Sequence, residues 1–193
     1  MNILDKIVRD KRLEVDLRKS IIPTSQLEAS VLFNREIVSL AQNLRQSNSG
    51  IIAEHKRRSP SKSIINHDLN VQDVASGYEK SGVCGMSVLS DGKYFGGSLE
   101  DLNLARAVTQ LPLLRKEFIV DEYQVLEAKA HGADLILLIA AVLSRKEPEA
   151  RVLHVDGVFD GSLVVELAVQ LGHQAAVHRG VASARIRVGN ARR

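Results

Sequence analysis

Cysteine is nearly missing from this chain: its 193 residues include one, Cys84, so no internal disulfide can form and a reducing compartment is the natural reading. In its apolar stretch Cys84 reads as a small buried residue. Long hydrophobic runs are missing as well. The longest, residues 135–143, falls well short of the roughly 20 residues that span a bilayer. The opening Met1-Asn2-Ile3-Leu4-Asp5-Lys6 lacks a basic segment leading into an apolar core of the secretory type, and a soluble cytoplasmic protein without membrane contact is expected. There is little excess charge of either sign: 26 Lys and Arg against 23 Asp and Glu leave +3 at pH 7. With acidic residues dispersed along its length and no aromatics interleaved among the basic ones, the chain is a poor nucleic-acid binder. It suits an anionic small molecule better.

The 45% apolar content supports one compact domain with a sizeable core. Ile3, Leu4, Ile7 and Val8 recur at helical spacing, with Asp5, Lys6, Arg9, Asp10 and Lys11 between them, which predicts an amphipathic helix with those charges on its polar side. A second helix is predicted over 31–44 with Ser30 as its N-cap. The chain then alternates. Strands are predicted at 51–53, 85–89, 111–114 and 135–139, and helices at 71–80, 99–108 and 121–131, the last ended by Gly132. Continuous apolar strands separated by amphipathic helices make an α/β fold with a parallel sheet.

Three clusters follow strands. Glu54 and Lys56 are two apart at the end of the first strand, so an extended backbone turns both to one side. Ser59, Ser61 and Lys62 on the next loop offer donors to phosphate or carboxylate. Taken alone, the run Lys56-Arg57-Arg58 also fits a solvated basic turn or a nucleic-acid patch. A second lysine, Lys116, ends the third strand, where burial would ease loss of its proton and suit it to acid–base work. In the third cluster Ser98 reads as a helix cap, with Asp101 three positions on. Phe95 has no turn-forming role and could pack on a ligand ring.

The segments Ile51-Ile52-Ala53-Glu54-His55-Lys56-Arg57-Arg58-Ser59-Pro60-Ser61-Lys62, Ser87-Val88-Leu89-Ser90-Asp91, Phe95-Gly96-Gly97-Ser98-Leu99-Glu100-Asp101-Leu102, Leu114-Arg115-Lys116-Glu117-Phe118-Ile119 and Gly132-Ala133-Asp134, in this order, closely resemble indole-3-glycerol-phosphate synthase. The resemblance implies a partial (β/α)8 TIM barrel, about the first four βα units, preceded by extra N-terminal helices. A complete barrel typically needs about 250 residues. It implies a lyase of tryptophan biosynthesis that closes, decarboxylates and dehydrates 1-(2-carboxyphenylamino)-1-deoxyribulose 5-phosphate without metal or organic cofactor. It further implies that Lys116 is the general acid, that Lys56 contacts the charged groups of the substrate and assists later steps, and that Glu54 is their acidic neighbour. By the same resemblance Ser59 helps hold the anionic substrate and Phe95 lines the anthranilate pocket. His55 stands where an apolar residue is usual, Ser63 where glycine is common and Glu117 where aspartate is usual; none removes a charge from the site.

The resemblance covers residues 1–146, read as N-terminal helices plus the first half of a barrel. Beyond Lys146 no lysine occurs, while valine, arginine, alanine, glycine and histidine become dense. Residues 147–193 read as a divergent, poorly ordered tail produced by a change of reading frame or a premature join, and the family's later catalytic glutamate, asparagine and phosphate loops have no counterpart there. Such a chain is expected to be impaired as a synthase and to self-associate through open barrel edges. The alternative function is an inactive half-barrel acting as an interaction or complementing fragment.

Overall fold

A computed structural model of the chain describes residues 2–65, 68–139 and 142; the stretch read as a divergent tail, 147–193, lies outside the described residues. Helix α1 (Ile3–Ile21) starts at Asn2, whose side chain accepts from the Asp5 N–H at 2.8 Å while the Asp5 carboxylate accepts from the Asn2 N–H at 3.2 Å. This reciprocal cap satisfies two donors that the first turn cannot use. Ile7, Val8 and Val15 are buried, as the spacing predicts. Lys11 corrects the sequence reading: expected on the polar side, it is 2% exposed.

Pro23 leads into α2 (Thr24–Glu28). The helix expected over 31–44 with Ser30 as its cap does not form. Residues 31–39 are turns and irregular chain, with Val31 fully in solvent, and α3 (Leu40–Gln46) starts instead from Ser39, whose hydroxyl accepts from the Gln42 N–H at 3.2 Å. Tertiary bonds take the place of helical ones. The Val38 N–H donates to the Asp134 carboxylate at 2.8 Å, Arg35 donates to the same oxygen at 2.6 Å, and the Ser30 hydroxyl is spent on the Ala130 carbonyl at 2.7 Å.

From β1 (Ile52–His55) onward the chain alternates in the predicted order: α4 (Val71–Lys80), β2 (Gly85–Leu89), a short α5 (Gly92–Phe95) that was not expected, α6 (Leu99–Arg106), β3 (Leu113–Lys116), α7 (Tyr123–Ala130) and β4 (Leu135–Ile136), which keeps only two of the five residues expected at 135–139. The four strands form one parallel sheet in the order β1-β2-β3-β4. β3 begins two residues later than expected, because Pro112 has no N–H for the ladder; its carbonyl still accepts from Met86 at 2.9 Å. Among the described residues no helix is long and apolar enough to cross a membrane.

Register sorts the side chains into two faces. Met86, Val88, Leu113 and Ile136 are fully buried against Val71, Ala75, Leu102, Ala105 and Ala128 of the helices, forming the main core. On the other face Leu114 and Leu135 pack with Cys84, Leu137 and Leu40 of α3. Gly85 permits that approach, since a Cβ there would stand 2.6 Å from Leu40 Cδ1. The sheet thus has a helix-covered side and a second side whose N-terminal end is closed by α3.

Candidate active site

On that second side the strand ends carry charge. Glu54 is in register with Ser87, and Ser87 with Leu114; two residues on, Leu89 is in register with Lys116. Residues two apart on an extended strand share a face, so Glu54, Lys56 and Lys116 rise on one side from neighbouring strands. Their side chains meet. Lys116 Nζ stands 2.6 Å from Glu54 Oε2 and Lys56 Nζ 2.9 Å from Glu54 Oε1. One carboxylate therefore bridges two ammonium groups and leaves a net charge of +1 at the C-terminal edge of the sheet. Burial pushes the Glu54 carboxyl up, but hydrogen bonds from Lys116 and Lys56 outweigh it and hold the group below its ordinary value. The site was expected to bury Lys116; its side chain is in fact 41% exposed, within reach of an arriving solute.

Phe95, at the end of α5, lies beside Phe118, with ring centroids 6.1 Å apart and planes tilted by 36°. Phe118 follows Lys116 by two residues. Sequence reasoning did not single it out, although continuing the alternation from Lys116 would have found it. Ser59 is engaged in its own turn: it exchanges backbone hydrogen bonds with Lys62 at 2.8 and 3.1 Å, and its hydroxyl lies 3.3 Å from that of Ser61. Among the described residues no hydrogen bond joins Ser59 to Glu54, Lys56 or Lys116. Ser87 was also missed. Its hydroxyl is buried beside Glu54 without a hydrogen-bond partner among the described residues.

The basic run after Lys56 is turned inward. Arg57 grips Asp101 through two bonds of 2.6 and 2.7 Å, and Arg58 donates to the carbonyls of Gly92 and Lys93 at 2.7 and 3.0 Å. These bonds fasten the loop after β1 to α5 and α6. Ser98 caps α6 as predicted, accepting from the Asp101 N–H at 3.1 Å. His55 faces the helix layer, buried, with Nε2 unpartnered among the described residues. Burial, followed by the nearby Arg57, lowers its pKa, and Asp101 opposes them. Among the described residues no group of three or more His, Cys, Asp or Glu is arranged to hold a metal ion.

The sequence profile of indole-3-glycerol phosphate synthase matches residues 4–171, a span that runs past the motifs quoted above. Proteins named indole-3-glycerol phosphate synthase are similar to this chain: 44% identical over 146 residues in Bacteroides thetaiotaomicron, covering 76% of this chain and 56% of that protein. The Dechloromonas aromatica protein is 44% identical over 153 residues, 77% of this chain and 58% of its own length. The Desulfosudis oleivorans protein is 45% identical over 148 residues, 75% and 56% respectively. The chain thus spans a little over half the length of the curated relatives it matches. With its motifs on the ends of consecutive parallel strands and this similarity across three quarters of its length, the chain belongs to the indole-3-glycerol phosphate synthase family.

Proposed function

We propose that the described residues form a partial (β/α)8 barrel, about its first four βα units, and carry part of a synthase site that takes 1-(2-carboxyphenylamino)-1-deoxyribulose 5-phosphate, an anionic substrate of a cytoplasmic pathway. The observation that carries this reading is the convergence of Lys56 and Lys116 on Glu54. Lys116, an ammonium group beside a carboxylate, donates a proton to the substrate's ketone oxygen as the ring carbon bearing the carboxyl group attacks the carbonyl carbon. Loss of carbon dioxide returns its bonding electrons to the ring and restores the benzene; the new hydroxyl then takes a proton and leaves as water while the neighbouring CH2 gives up a proton, which completes the indole. Lys56 holds the substrate's carboxylate and assists the dehydration. Glu54 holds both ammonium groups in place. Phe95, with Phe118, offers an apolar face to the anthranilate ring, and Ser59 sits on the loop that receives the anionic end. No step uses a metal or an organic cofactor.

Because the chain aligns with 56–58% of its relatives' length, turnover by the chain alone should be impaired. Titrating the purified chain with substrate while following indole fluorescence tests both parts. Saturable binding with weak turnover, lost in Lys116→Met, is the expected result. Absence of binding would overturn the site. Turnover equal to that of the Dechloromonas aromatica protein would overturn the impairment, and a chain that binds no substrate yet forms a stable dimer would favour an interaction fragment.

A further inference from the structure

One face of α1 presents Lys11, Glu14 and Arg18 at helical spacing toward the ends of β2 and β3. The Lys11 ammonium, with its side chain 1% exposed, lies 2.9 Å from Asp91 Oδ2, 3.2 Å from Glu117 Oε1 and 2.8 Å from Glu14 Oε2. These contacts belong to a closed circuit. The other Glu117 oxygen accepts from Ser90 at 2.9 Å, Ser90 accepts from Arg115 Nε at 3.1 Å, and Arg115 Nη2 reaches Glu127 at 2.7 Å. Arg18 joins Glu127 at 3.2 Å to Glu14 at 2.6 Å, and Glu14 returns to Lys11.

Two features tie this circuit to the site. Arg115 and Glu117, both fully buried, flank Lys116 and point to the opposite side of the sheet, so their anchorage fixes the backbone from which Lys116 projects. Asp91 uses its other oxygen to accept from the N–H groups of Tyr94 and Phe95 at 2.6 and 3.2 Å. A single ammonium group on the N-terminal helix thus holds the segment carrying Phe95 and the segment carrying Lys116. Burial opposes the charge on Lys11, but Glu117, Glu14 and Asp91 together more than restore it.

We propose that Lys11 is a positioning residue: through Glu117 and Asp91 it sets the placement of Lys116 and Phe95, making α1 part of the machinery rather than a cover for the sheet. This rests on the reading of Lys116 as the general acid. The test follows the Lys116 ammonium by NMR in the full chain after reductive methylation with a carbon-13 label, its signal assigned by loss in Lys116→Arg. In Lys11→Met the Lys116 methyl resonance should move by more than its linewidth, because a displaced strand end changes its 2.6 Å pairing with the Glu54 carboxylate. Glu14→Gln, at a 31% exposed position, breaks the same circuit more gently and should move the signal in the same direction should Lys11→Met fail to fold. Lys19→Ala cuts a separate tether of α1, its 2.9 Å pair with Asp121 outside the circuit, and should leave Lys116 unmoved. An unchanged Lys116 resonance in the circuit variants, or an equal change in Lys19→Ala, would show that Lys11 only fastens the helix. A wild-type chain that binds no substrate would defeat the functional reading while leaving the NMR comparison to decide the positioning.

Discussion

Replacing Asp134 by alanine should cost this chain more than any change among the exposed charges. The carboxylate is fully buried, with four donors converging on it. Oδ1 accepts from Arg35 at 2.6 Å and from the Val38 N–H at 2.8 Å; Oδ2 accepts from Arg106 at 2.9 Å and from the Leu113 N–H at 2.8 Å. It therefore joins the approach to α3, the last residue of α6 and the first residue of β3. Alanine would strand the Arg106 guanidinium, whose side chain is 5% exposed, together with two backbone donors. Breaking a buried pair from one side costs about 3–5 kcal/mol, and each stranded donor adds about 1 kcal/mol or more. These terms overlap, because Arg106 keeps its bonds to the Thr109 and Leu111 carbonyls. A loss of about 4 kcal/mol is expected, a large part of the roughly 5–15 kcal/mol that holds a domain together. Asparagine should recover little, since its NH2 group must face two of the donors. Urea unfolding followed by far-UV circular dichroism measures this. A loss below about 1 kcal/mol in Asp134→Ala would refute the claim that this carboxylate knots three elements together.

Other outcomes follow from the same coordinates. Burial lowers the pKa of both His55 and His131 in the folded chain, so unfolding takes up protons; stability should be complete above the unfolded histidine value of about 6.5 and decline as pH falls below it. Urea midpoints across that window check this, and His55→Leu should flatten the decline. Tyr94, raised by burial and by its 2.6 Å bond to Asp10, should form phenolate only at about 12, and Asp10→Asn should bring its ultraviolet titration down. Gly97→Ala would drive a Cβ into the Leu89 carbonyl, with its carbon 2.6 Å away; a loss of at least about 3 kcal/mol by urea unfolding is expected. Glu54→Gln should weaken turnover more than stability, because half-exposed ion pairs contribute only about 0–1 kcal/mol; activity and melting measured together decide it.

Much of the alternation was legible because its signals are local. α4 occupies 71–80 as its sequence pattern predicts, and β2 fills its apolar run from end to end. The pairing of Glu54 with Lys56 follows from a two-residue repeat alone. The segment before α3 was misread because its apolar spacing fits a helix, whereas Asp134, about a hundred positions away, takes the Val38 N–H. Lys11 was read as a polar-face residue for a similar reason: the carboxylates that allow its burial lie on distant loops. Arg115 and Glu117 belong with it, their charges hidden inside a segment whose hydrophobic neighbours announce only a strand. Sequence pattern records a residue's own preference; a buried ion circuit depends on partners that local pattern does not record.

The alternation along β3 has a consequence for how this protein can change over generations. Substitutions can be tried there one position at a time, but loss or gain of a single codon would exchange the two sides of the strand. Lys116 would enter the packing layer, while Arg115 and Glu117, made for the interior, would emerge beside Glu54. That stretch should therefore keep its length even in lineages where its residues drift.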